Sequence, residues 1–235
     1  MAGLSGGSGG LARFLGEALA PLLTRRLLGP VLLLALLLTL SNIVLMLNPP
    51  AEGEMPPAEF LVAAFVRLFG LFVIAVALLR LINHSPRPPW RPDGAFWLSA
   101  LVFLLQLGLS VAVGVAARVV VGPDLATQLI LDALVSVLTL PLAAWFTAIA
   151  VERPLAWRPG RWLRAWSAWL PHLVLWTVLL TVPLGTLHAV IDLRLVRNAG
   201  SWFWPLALID GPLSLVILLS ALALASEAYR RVARS

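Results

Sequence analysis

The sequence predicts an all-α, polytopic membrane protein: a bundle of six transmembrane helices with a short N-terminal interfacial amphipathic helix. Three observations predict it. Of the 235 residues, 60% are hydrophobic and only 12% are charged, whereas soluble domains run near 45–50% and about 25%. The apolar residues are gathered into runs long enough to cross a bilayer, which takes about 20 residues. The arginines stand beside those runs rather than being spread through them. Most of the chain lies in or next to a run, so residues 11–235 read as one transmembrane domain, with no room for a separate soluble one.

Composition also narrows the chemistry. There is no cysteine, which excludes disulfides, thiolate metal sites and thiol nucleophiles. The net charge is +6 and every basic residue is arginine. A pI near 11.5 would point a soluble protein toward nucleic acid. Here the arginines flank membrane spans, so they read as topology and lipid contacts, and no nucleic-acid partner is expected.

Residues 1–10 are Gly/Ser-rich and read as a disordered N-terminus. From Leu11 the residues Phe14, Leu15, Ala18, Leu19 and Leu22 repeat at helical spacing, with Arg13 and Glu17 off the stripe. That pattern predicts a helix lying on the membrane, kinked at Pro21. The six spans follow at approximately 27–47, 60–82, 95–119, 125–151, 162–187 and 202–225. Connections rich in proline, glycine or arginine separate them, and Asp124 is placed to cap the fourth. A polar connection is expected from His188 to Ser201, and a tail from Ser226 onward. Trp90-Arg91-Pro92 and Trp157-Arg158-Pro159 echo each other on two loops ahead of spans. The echo is compatible with repeated hairpins, although three residues in Pro/Arg-rich loops also coincide by chance.

Orientation follows from the arginines. With both termini cytoplasmic, the inner flanks hold thirteen: Arg13, Arg25, Arg26, Arg80, Arg87, Arg91, Arg153, Arg158, Arg161, Arg164, Arg230, Arg231 and Arg234. The outer flanks hold three, Arg118, Arg194 and Arg197, and Arg67 lies within a span. This is the positive-inside pattern, and it predicts a multi-pass protein of a cell membrane, such as a bacterial inner membrane. The tryptophans fall near the same boundaries, where an apolar ring with one N–H is favoured.

The candidate site is a set of polar residues inside the spans. The stretch from Leu125 to Val151 organises the chain: it carries Gln128, Asp132, Ser136 and Thr139 on one helical face, and the rest of the bundle is expected to accommodate that face. Counted inward from the outer ends, Arg67, Asp132 and Asp210 each lie eight residues deep, about 12 Å, with Asn42 at a similar level. One cation and two carboxylates at one depth predict a cluster of Arg67, Asp132, Asp210, Asn42 and Gln128, in which Arg67 pairs with one of the two acids. Asp210-Gly211-Pro212 predicts a kink or break in the sixth span beside its carboxylate. The ordinary reading of such a cluster is a polar knot that fixes helix packing. The sharper reading is a route for protons, cations or a small solute.

The three histidines, His84, His172 and His188, are too widely spaced for one metal site, and no HExxH, GxSxG, Walker or GxGxxG motif occurs. The expected function is therefore a non-enzymatic membrane protein of structural, scaffolding or accessory type, with no cofactor and no metal. A small transporter or channel subunit is the alternative. Its partners would be the bilayer, with anionic lipid at the inner face contacted by Arg153, Arg158, Arg161 and Arg164, and a membrane-protein partner or a second copy of the chain.

Overall fold

The computed structural model describes residues 8–49, 55–121, 125–151, 170–197 and 200–234. Among these residues every regular element is helical. The helices are α1 (Ser8–Leu19), α2 (Leu28–Leu47), α3 (Ala58–Ile82), α4 (Gly94–Val121), α5 (Leu125–Leu138), α6 (Leu140–Val151), α7 (Val182–Arg197) and α8 (Phe203–Arg234). Two short 3₁₀ turns join α1 to α2, and residues 170–176 are helical and pass through a π-helical turn, Thr177–Thr181, into α7. Five helical segments are long and apolar enough to cross a membrane: Arg25–Leu47, Ala58–Ile82, Gly94–Val113, Leu170–Ile191 and Phe203–Ala233.

The remaining predicted span, 125–151, is two helices rather than one. Pro141 has no N–H to offer, and its ring crowds the carbonyl of Val137. Two residues earlier the Thr139 hydroxyl donates to the Val135 carbonyl at 2.8 Å. The helix is therefore interrupted at the single residue Thr139, although the Thr139 N–H still donates to the Val135 carbonyl at 2.9 Å and the Ala143 N–H to the Thr139 carbonyl at 3.0 Å. The two pieces share one neighbour, since α4 packs against both α5 and α6.

The core lies where α3, α4 and α6 meet. The Phe72 ring sits 4.8 Å from Phe96, 5.5 Å from Phe103 and 6.3 Å from Phe146, centroid to centroid. Leu78, Leu79, Ile82 and Ile149 are buried alongside. The second half of α3, from Phe72, is thus enclosed by other helices. Its first half keeps Leu61, Val62, Phe65, Val66 and Phe69 exposed, an apolar surface suited to lipid.

The last helix has the most neighbours, packing against α1, α2, α3, α6 and α7. The predicted centre, Leu125 to Val151, does not hold that position. At 32 residues, α8 is about 48 Å long, well beyond a hydrocarbon core of about 30 Å. The expected tail from Ser226 is its continuing end. Pro212 lies inside it, and the helix runs through Asp210-Gly211-Pro212 without a break. A Cβ at Gly211 would lie 3.0 Å from the Thr39 Cα of α2, so glycine permits the backbones of α2 and α8 to meet there.

The amphipathic helix forms, beginning at Ser8 rather than Leu11. Its apolar stripe turns onto protein and not onto lipid: Phe14 and Ala18 are fully buried against Leu140, Ala144, Leu173, Ala223, Leu224 and Ala228. Its polar face is tied down as well. Arg231 donates to Glu17 at 2.9 Å, and Arg230 donates to the Glu17 carbonyl at 3.0 Å. Both arginines also bond Glu227, which is nearly completely buried.

Candidate functional site

Four helices bring their polar residues together midway along the bundle. Asn42 enters from α2, Arg67 from α3, His188 from α7 and Asp210 from α8. Arg67 donates from Nη1 to the Asn42 carbonyl oxygen, and the Asn42 amide N–H donates to Asp210 Oδ2. The other carboxylate oxygen, Asp210 Oδ1, lies 2.5 Å from His188 Nδ1. Asn42 and Asp210 are 2% and 0% exposed, whereas the His188 side chain is 24% exposed. The result is a continuous chain from guanidinium to amide to carboxylate to imidazole, with its two middle members sealed.

Asn42 makes that chain possible because an amide carries an acceptor and a donor on one carbon. Its oxygen faces the cation and its nitrogen faces the anion. A carboxylate in low dielectric is costly unless its oxygens are hydrogen-bonded, and here each oxygen of Asp210 has a donor available. Gly211 brings α8 against Thr39, three residues before Asn42 on α2, which sets the approach that the amide bridges.

Ser214 Oγ is 3.4 Å from the same nitrogen, His188 Nδ1. In a Ser-His-Asp relay the serine and the aspartate use opposite ring nitrogens. Here both sit on Nδ1, so these three residues do not form that relay.

Three of the five residues expected to cluster, Arg67, Asn42 and Asp210, are therefore joined. The side chains of Asp132 and Gln128 lie outside the described residues, as do Asp124 and the four loop arginines Arg153, Arg158, Arg161 and Arg164. Sequence reasoning missed His188. The sequence places it in a polar connection after a fifth span ending at 187, whereas α7 continues to Arg197. The available signal was spacing: His188 follows Gly185 by three residues and precedes apolar Ile191 by three, a helical register.

A second polar site lies at the other end of α3. Arg80, counted in the sequence as an ordinary flanking arginine, is only 1% exposed. Its Nε donates to the Ala150 carbonyl at 3.0 Å, and its Nη1 to the carbonyls of Pro88 at 2.9 Å and Arg91 at 2.8 Å. Its Nη2 meets Asp93 Oδ1 at 2.7 Å. Asp93 also accepts from Arg87 and, at 3.0 Å, from the backbone N–H of Phe96, so it caps the start of α4. Partial burial pushes the Asp93 carboxyl up, but the Phe96 N–H, Arg87 and Arg80 outweigh it and hold the group below its ordinary 3.8. Nearby, the Ser85 hydroxyl donates to the Val151 carbonyl at 2.9 Å, and Asn83 reaches the Ser226 hydroxyl at 3.0 Å. The 83–93 connection is thereby fastened to α3, α6 and α8.

No protein-family model, curated protein or solved structure matches the chain.

Proposed function

We propose that this chain is a non-enzymatic multi-pass membrane protein of structural or accessory type, in which the Arg67–Asn42–Asp210–His188 chain locks four helices in one arrangement. One observation carries the reading: Asn42, almost completely buried, spends its amide on Arg67 and Asp210 at once. Interhelical polar contacts of this kind hold membrane helices together where lipid gives no hydrophobic preference for one packing over another. In this reading both termini face the cytoplasm across a bacterial inner membrane. The loop arginines Arg153, Arg158, Arg161 and Arg164 contact anionic lipid, a membrane-protein partner or a second copy.

A second reading has a specific observation behind it. His188 and Asp210 are both titratable and in contact at 2.5 Å, and intramembrane carboxylate–histidine pairs serve as proton relays. Purified protein in proteoliposomes under a pH gradient separates the two. A structural protein gives flux no greater than empty vesicles. Flux that disappears in Asp210→Asn and His188→Phe would replace the structural reading with proton transport. For orientation, a reporter active only in the cytoplasm should be active when fused after Ser235 and silent when inserted within 51–57. The opposite pattern would invert the topology.

A further inference from the structure

A groove runs along the outside of α2 and α3 and is not part of the polar chain. It is lined by Leu33, Leu36, Leu37, Leu40, Ser41 and Val44 on α2 and by Glu59, Val62, Ala63 and Val66 on α3, and encloses about 540 Å³. That volume falls within the range of about 300–1,000 Å³ typical of small-ligand sites. Its origin is a change in contact between the helices. At Gly70 a Cβ would lie 2.6 Å from Leu37 Cδ2, so the Leu37 side chain packs directly onto the α3 backbone. Toward the α2–α3 connection the facing residues include Ala63 and Ser41, which are too small to close the gap.

Two features identify an occupant. The first is depth. From Val44 to Leu33 is eleven residues, about 16 Å along the axis. The hydrocarbon core is about 30 Å thick, so the groove is one leaflet deep, as an acyl chain requires. A helix from a partner would run the full thickness. The second is charge. Glu59 is the one ionisable lining residue and sits at the connection end. It makes no ion pair among the described residues. In the sequence Glu52, Glu54 and Glu59 have no basic residue with them between Arg26 and Arg67.

We infer that this groove is a lipid-binding site that seats one acyl chain of a membrane phospholipid with an ammonium headgroup, the ammonium group facing Glu59. A headgroup bearing a primary amine supplies the hydrogen-bond donors that a carboxylate accepts, whereas a glycerol headgroup leaves the lipid anionic beside Glu59.

The test is native mass spectrometry of the full chain, extracted in mild detergent from vesicles of equal phosphatidylethanolamine and phosphatidylglycerol. The expected result is one retained phosphatidylethanolamine per chain. Val62→Trp fills the groove from an exposed position and should reduce that adduct by at least about fivefold, which corresponds to about 1 kcal/mol. Leu40→Trp does the same from the opposite wall and serves if the first variant does not fold. Glu59→Gln should retain a lipid but lower the preference for phosphatidylethanolamine by about threefold, the scale of a partly exposed ion pair. Equal retention of phosphatidylglycerol by the wild-type chain would overturn the headgroup assignment. An adduct undiminished in both tryptophan variants, or a groove-dependent dimer in place of a lipid, would overturn the site.

Discussion

Arg67 and Arg80 enter the bundle from one helix, thirteen residues and about 20 Å apart, and are satisfied in different ways. Arg80 is held mostly by residues close to it in the chain: the carbonyls of Pro88 and Arg91 and the carboxylate of Asp93, with Ala150 as the one distant partner. Arg67 is held through Asn42 to Asp210 and His188, residues that come from three other helices. The first arrangement shapes a connection and can form once α3 meets the loop that follows it. The second exists only when α2, α3, α7 and α8 are already side by side. A buried arginine can thus fold a loop or register a bundle, and the sequence distance of its acceptors decides which.

The largest expected effect tests the loop-folding arginine. Arg80→Met leaves Asp93 short of a cation and three carbonyls short of a donor. Loss of one partner from a buried ion pair costs about 3–5 kcal/mol, read as unfolding of the detergent-solubilised protein. A loss below about 1 kcal/mol, the range of surface pairs, would mean that Arg80 is not structural. Next comes the bundle-registering site. Asn42→Leu separates Arg67 from Asp210 and should cost about 3 kcal/mol, because buried charged groups lose their hydrogen bonds. Adding Arg67→Leu and Asp210→Leu to that variant should recover much of the loss, since an apolar replacement of a whole buried network is often near neutral. Purely additive losses would show that the three residues do not act together.

A smaller effect is expected at the contact that positions the chain. Gly211→Ala places a methyl against Thr39, and over-packing of this kind costs about 2 kcal/mol. Thr39→Ala in the same protein should restore part of it by removing the hydroxyl. Absence of any rescue would place the strain elsewhere. The smallest effect is that of pH on the loop. Asp93 has a depressed carboxyl, so its contribution is complete above its ordinary 3.8 and is lost as pH falls through the lower folded value. Amide exchange across 84–93 should therefore accelerate below about pH 3.8, while exchange within 72–82 changes less. Uniform acceleration would mean that acid loosens the whole bundle.

Apolar runs made most of the fold legible, because a span long enough for the bilayer stands out whatever it packs against. The site was half legible. Equal depth brought out Arg67, Asn42 and Asp210, since residues that must share a level can be counted along their helices. His188 is hidden because hydropathy ends the fifth span before it, while α7 continues into polar sequence. Arg80 was lost because an arginine at a helix end reads as a topology signal, and nothing local distinguishes one that turns inward. The one-residue interruption at Thr139 is concealed by an unbroken run of apolar residues, in which Pro141 is the sign to follow. The opposite error occurred at Pro212, where α8 tolerates the proline.

The π-helical turn at Thr177–Thr181 has a consequence for angular phase. Each residue of an α-helix advances the side-chain direction by about 100°, and a π turn accommodates one extra residue without ending the helix. Pro183 follows after Val182, and the wider turn relieves the crowding its ring would impose on the Leu179 carbonyl. All of α7 downstream is therefore rotated relative to the helical segment 170–176. With that rotation His188 faces Asp210. Without it the same residue, at the same depth, would point about 100° away toward another neighbour. The composition of α7 decides that a histidine is present at this level, and the surplus residue in the π turn, which ends about two turns earlier, decides what it meets.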